Sequence, residues 1–165
     1  MDIIVDGYNL IGVDRGLTGG LEHKRNWLLQ RITAYQELKK ISVTVVFDGW
    51  QTGSALQNEE KRSGVRAIYS RLGEKADAVI VRIAREKGAG CVVVTSDREI
   101  RNAVERFGAV AIYSGEFDQI LRSVDQPFFD EEVEEIETVS SRKGNSNRLS
   151  KSERRRQEKL RKLRL

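Results

Sequence analysis

The sequence predicts an α/β protein. It reads as a three-layer fold, with a central, mainly parallel five-stranded sheet, helices on both faces and a charged C-terminal extension. Three observations predict it. Short apolar runs alternate with helical patterns along the first 125 or so residues, and such alternation argues for a parallel sheet. Two of the runs, "VTVVF" and "CVVVT", are nearly continuous β-branched stretches, as strands buried on both faces should be. The single proline, Pro127, falls where this alternation gives way to blocks of like charge.

In chain order, the strands are predicted at 2–6 "DIIVD", 42–47 "SVTVVF", 65–69 "VRAIY", 91–95 "CVVVT" and 109–113 "AVAIY". The helices fall between them. Residues 21–39 place Trp27, Leu28, Ile32, Tyr35 and Leu38 at helical spacing. Residues 74–87 carry Ala76, Val79, Ile80, Ile83 and Ala84 as an amphipathic stripe, ended by Gly88. Residues 98–107 align Ile100, Val104 and Phe107, with Gly108 as the stop, and 116–122 form a short last helix. Gly7, Tyr8 and Asn9 read as a break after the first strand. The stretch 49–64 has no clear period and reads as a surface loop, and a loop of that length is more often functional than idle.

Net charge is +4, unevenly spread. Residues 128–141 carry −6, residues 142–165 carry +9, and +1 is left on 1–127. The predicted organisation is therefore a body at 1–126, an acidic linker at 127–141 and a basic tail or helix at 142–165. No apolar run approaches the roughly 18 residues of a membrane helix. "MDIIVDG" has an early acid and no basic n-region, so it does not read as a secretory signal. The only cysteine, Cys91, excludes an intrachain disulfide and fits a reducing cytoplasm.

Ligands bind beyond the carboxyl ends of strands in such sheets. Asp6 ends the first strand, Asp48 the second, and Asp97 follows the fourth in "VVVTSD". Asp77, in the first turn of a helix, starts from the same edge, and Asn9 can add an amide oxygen. Crowded carboxylates repel one another, and a hard divalent cation removes the conflict. The ordinary alternative for each Asp is a helix cap or turn; the joint recurrence at one edge is the stronger signal. The only histidine, His23, has no nucleophile at a readable spacing. A haloacid-dehalogenase phosphatase would need an acid at position 8, which is Tyr8. No G-x-G-x-x-G follows the first strand, which disfavours a dinucleotide fold.

Cations supply the rest of the pattern. Lys61, Arg62, Arg66 and Arg71 flank the 49–64 loop, with Tyr8, Trp50 and Tyr69 as stacking candidates for single-stranded RNA. The ordinary alternative is that Trp50 and Tyr69 are partly core and the arginines plain surface. "RLSKSERRRQEKLRKLRL" reads as a basic helix capped by Ser150 and Glu153. Arg154, Arg155, Arg156, Lys159, Arg161 and Lys162 would contact phosphates. Leu160 and Leu163 form a stripe too thin for a core. A solvated tail is the alternative.

"DGYNLIG", "VVFDG", "KADAVIVRIAREKG" and "VVVTSDREIRNAV", in that order, resemble the NYN-domain family of the PIN-like nuclease superfamily, closest to its YacP-like branch. The resemblance covers about residues 1–125. It implies a PIN-like sheet and a Mg2+- or Mn2+-dependent endoribonuclease, in which metal-activated water attacks the phosphodiester. It implies Asp6, Asp77 and Asp97 as metal-binding acids, with Asn9 and Asp48 in support. RNA is the implied partner, with mRNA on the ribosome an extension of the same expectation. A further mid-domain acid has no fixed place, with Glu59, Glu60 and Glu74 as candidates. A catalytically silent RNA- or ribosome-binding adaptor on the same fold is the alternative. The oligomeric state is left open.

Overall fold

The computed structural model of the chain describes residues 1–49, 57–62, 64–125 and 149–164. Trp50, the acidic run 128–141 and the start of the basic segment lie outside the described residues. All five anticipated strands are present: β1 (Asp2–Asp6), β2 (Ser42–Phe47), β4 (Val65–Tyr69), β5 (Cys91–Val94) and β6 (Val110–Ile112). A sixth, β3 (Asn58–Arg62), lies in the stretch read as a loop. Its sequence, "NEEKR", has no apolar residue, so no hydrophobic period marks it. It is antiparallel to β4 at the sheet edge, and a charged edge strand resists pairing with other chains.

The sheet order is β3-β4-β2-β1-β5-β6. All pairs except β3–β4 are parallel. From β1 the chain builds outward through β2 to β4, then returns to the other side of β1 for β5 and β6. The strand order thus reverses between β1 and β5, the crevice where ligands of such sheets bind.

Among the described residues, six α-helices cover the sheet: α1 (Gly7–Asp14), α2 (Leu21–Lys39), α3 (Ala76–Lys87), α4 (Arg98–Glu105), α5 (Ser114–Asp125) and α6 (Lys151–Leu163). Strand alternation divides the core. Ile3, Val5, Val45, Phe47, Val92 and Val94 face α1, α2 and α5. Ile4, Val46, Ile68 and Val93 face α3 and α4. The stripe of α3 is buried throughout. In α2, Leu28, Ile32 and Tyr35 are buried, but Leu38 is 59% exposed.

Two departures bear on the site. First, β1 passes into α1 without a loop. Asp6 is both the last residue of β1 and the N-cap of α1. Gly7 permits this turn: a Cβ there would lie 2.3 Å from the Phe47 ring. Second, the basic C-terminal helix is docked on the body. Leu163 is fully buried and Leu160 nearly so, both joined to the α1–α2–α5 core. The Tyr35 hydroxyl donates to the Leu163 carbonyl at 3.0 Å, and Lys39 Nζ to the Arg164 carbonyl at 2.7 Å. These bonds satisfy carbonyls that a helix end leaves open. Two leucines are enough because the site they fill is prepared by α2 and α5.

Candidate active site

Asp6 occupies the β1–β5 crevice and is half-buried. Its Oδ1 accepts from the Asn9 N–H at 3.4 Å, and its Oδ2 from the Thr95 hydroxyl at 3.0 Å. Burial pushes its carboxyl up to about 6, against the pull of those two bonds, and the charges of Asp77 and Asp97 push the same way. Acids from α3 and the β5–α4 turn thus act on the one at the end of β1.

Asp97 is the N-cap of α4, and its Oδ1 accepts from the N–H groups of Glu99 (2.7 Å) and Ile100 (3.1 Å). The ordinary reading of Asp6 and Asp97 as caps is therefore also true, with capping fixing where each carboxylate stands. The Asp97 N–H donates to Thr95 Oγ1 at 3.1 Å, so one hydroxyl ties Asp97 to Asp6. Asp77 is exposed in the first turn of α3. Grooves open on both sides of it, one lined by Arg71, Gly73 and Lys75, the other by Val81, Ile100 and Phe107.

Asn9 has a different part from the one anticipated. Its Oδ1 accepts from the Ser96 N–H at 2.9 Å and the Ser114 hydroxyl at 2.6 Å. The amide oxygen foreseen for an ion is already engaged in tying α1 to the ends of β5 and β6. Asp48 stands at the next strand end, where its Oδ1 accepts from the Ser70 hydroxyl at 3.3 Å. The backbone is tight here, since a Cβ on Gly49 would lie 1.7 Å from the Ser70 carbonyl oxygen.

Thr95, Ser70 and Ser114 were not read from the sequence. Each is fully buried just beyond a strand and donates to a site residue. The legible signal was a hydroxyl directly after an apolar run, in "VVVTS", "AIYS" and again "AIYS". The three mid-domain candidates are engaged with cations. Glu59 binds Arg66, Glu60 lies 3.6 Å from Arg62, and Glu74 holds Arg82 and Arg71. Glu99, passed over earlier, shares a groove with Asp77.

The anticipated RNA contacts divide. Register places Arg62 opposite Val65 and Lys61 opposite Arg66, so these three cations start from the end of β4 remote from the acids. Arg62 reaches along α2 to Asn26. Arg71 is at the rim, 3.6 Å from Glu74. Tyr8 is half-buried, edge-on to Phe47, and its hydroxyl accepts from Arg25 Nη1 at 2.9 Å. On α6, Arg154, Arg155, Arg161 and Lys162 are exposed, while Arg156 and Lys159 are half-buried.

Among the described residues, no three His, Cys, Asp or Glu side chains close into a ready-made ion cage. The donors are nonetheless hard carboxylate oxygens, and the charges of Asp77 and Asp97 raise the proton affinity of Asp6. Mg2+ suits such an open arrangement, because it takes one or two carboxylates and keeps several waters. The site fits the ion that the resemblance implies. Among the described residues, no helix is long and apolar enough to cross a membrane.

No curated protein sequence matches the chain. Two crystal structures of Rae1 (YacP) from Bacillus subtilis share its fold. One has 26% identity and a TM-score of 0.63, covering 76% of this chain and 75% of that one. The other, a tryptophan-to-leucine variant, has 26% identity and a TM-score of 0.62, covering 76% of each. The sequence pattern of the YacP-like NYN domain matches residues 3–162, so all of α6 but its last residue falls within the matched length. The chain belongs to the YacP-like NYN-domain family, a branch of the PIN-like nuclease superfamily.

Proposed function

We infer that this protein is an endoribonuclease that hydrolyses single-stranded RNA, with Mg2+ or Mn2+ held by Asp6, Asp77 and Asp97. The observation that carries this reading is the half-buried Asp6 carboxyl at the strand-order reversal, under the charges of Asp77 and Asp97. A cation bound there would polarise a phosphoryl oxygen and acidify a bound water. Thr95 and the Asn9 N–H fix the Asp6 carboxylate, Thr95 also fixes Asp97, and Asp48 with Ser70 orders solvent at the neighbouring strand end. The family resemblance extends the substrate to mRNA on the ribosome, with the outward cations of α6 as the contact surface.

A catalytically silent RNA- or ribosome-binding adaptor is the second reading. The open spacing of the acids favours it. Cleavage of single-stranded RNA by the purified protein, with Mn2+ and with EDTA, separates the two. Asp6→Asn and Asp97→Asn should each lower cleavage by about 100-fold or more while RNA binding survives. Asparagine caps a helix as well as aspartate does, so Asp97→Asn should fold normally. Mn2+ should raise the melting temperature of the wild type but not of Asp6→Asn. Full activity of both variants would end the assignment.

A further inference from the structure

Tyr113 directly follows β6 and is 42% exposed, more than any other Phe, Trp or Tyr among the described residues. It stands at the carboxyl ends of the strands. Its neighbour, Ser114, donates to Asn9 Oδ1 at 2.6 Å and to Ser96 Oγ, through its N–H, at 3.3 Å. Tyr113 is thus within a residue or two of the loop carrying Asp97. The Arg101 guanidinium, from α4, lies 3.9 Å from its ring centroid, and that of Arg156, from α6, lies 5.4 Å away. Arg156 also binds Glu116, whose Oε2 accepts the Tyr113 N–H at 3.1 Å. Arg101 is held differently. Among the described residues it has no carboxylate partner, and its buried Nε makes no hydrogen bond. Its guanidinium is engaged with the Tyr113 ring alone among the contacts of the described residues.

We propose that Tyr113, Arg101 and Arg156 form a subsite for one nucleotide of single-stranded RNA beside the carboxylate rim, where the base stacks on Tyr113 and a flanking phosphate meets the two guanidinium groups. Only the class of ligand rests on the nuclease reading. An exposed ring accepts any base by its π-face. Guanidinium groups take phosphate in fork geometry. A duplex hides its base faces inside the stack, so the subsite selects single strands. The plain alternative is that the two arginines and the ring only fasten α6 to the body. That role needs neither the exposure of the Tyr113 side chain nor a guanidinium without a carboxylate partner.

The test is binding, measured by fluorescence anisotropy in EDTA so that no cleavage intervenes. The probes are single-stranded oligoribonucleotides of roughly 12 nucleotides and abasic strands of equal length. Tyr113→Ala should weaken binding to the base-bearing strand by about fivefold or more, the scale of lost stacking, and leave the abasic strand unchanged. Tyr113→Trp should restore the affinity, and Tyr113→Leu, which keeps the apolar contact, should not. Arg101→Gln and Arg156→Gln should each reduce the salt dependence by about one counterion. Wild-type affinity in both Tyr113→Ala and Tyr113→Leu would overturn the subsite. So would equal losses on both probes accompanied by a fall in melting temperature, since that is the signature of fastening alone. Cleavage by the wild type with Tyr113→Ala binding unchanged would remove the subsite and leave the nuclease. Tyr113-dependent binding without cleavage would do the reverse. No binding by the wild type would remove both.

Discussion

Asp6 shows what one residue gives up to serve a site. It ends a buried strand, caps a helix and sits under two neighbouring negative charges. Its proton affinity is raised from 3.8 to about 6 in the fold. Between those values the folded protein holds a proton that the unfolded chain has released. Stability therefore falls as pH climbs from about 4 to about 6, and the full cost persists above that. A shift of about two units corresponds to roughly 3 kcal/mol. Asp6→Asn removes the titration and keeps an oxygen for Thr95, though its amide N–H2 needs a new partner. In metal-free buffer it should be more stable than the wild type by about 1–2 kcal/mol at pH 7. The advantage should vanish below about pH 4. Urea unfolding across that range checks it, and a constant difference at all pH values would show that the carboxyl is not strained by burial.

At the scale of elements, the contact between α2 and α5 is a buried ionic clamp. Arg31 binds Asp118 at 2.9 Å and Asp125 at 2.6 Å, and Asp118 also binds Arg122 at 2.7 Å. Arg31 and Asp118 are 8% and 3% exposed. Asp118→Ala leaves the buried Arg31 guanidinium with the exposed Asp125 as its carboxylate partner and should cost about 3 kcal/mol; chemical denaturation measures it. A double variant, Arg31→Met with Asp118→Leu, should recover most of that loss. Legibility differs by element for the same reason. The α3 stripe was readable because apolar periodicity is local. Arg31 lies on the buried side of α2, but its partners are 87 and 94 residues away, and no local pattern announces them. α1 was missed because it is short and opens on glycine; its cap, Asp6, looked like the end of a strand. β3 was missed because pairing with β4, not burial, makes it a strand. The strand-edge places of Asp6, Asp48 and Asp97 were legible from the apolar runs they follow, and that of Asp77 from the first turn of its helix. The hydroxyls of Thr95, Ser70 and Ser114 carried only the weak signal of following an apolar run, which an ordinary turn serine shares.

For the whole molecule, the two edges of the sheet are closed by different means. β3 relies on charge, whereas β6 is covered by α6. That cover gives α6 two independent duties on two faces. Leu160 and Leu163 point into the core, and Arg154, Arg155, Arg161 and Lys162 point to solvent. A helix so rich in cations would be marginal alone, and its order comes from the pocket that Tyr35 and Phe117 help to build. The two duties should therefore separate by mutation. Leu163→Ala should cost about 2–5 kcal/mol of stability, because it empties a filled position and loosens the chain around Tyr35. Replacing Arg154, Arg155 and Arg161 together with Gln should leave stability within about 0.5 kcal/mol. The triple variant should nevertheless bind RNA more weakly, with a salt slope shallower by about two to three counterions. Denaturant unfolding and RNA titrations at several salt concentrations, run on both variants, test the division. Stability and RNA affinity falling together in the arginine variant would mean that the outward face of α6 is also part of the fold. The basic helix would then be a structural brace, and RNA would have to be held elsewhere on the rim.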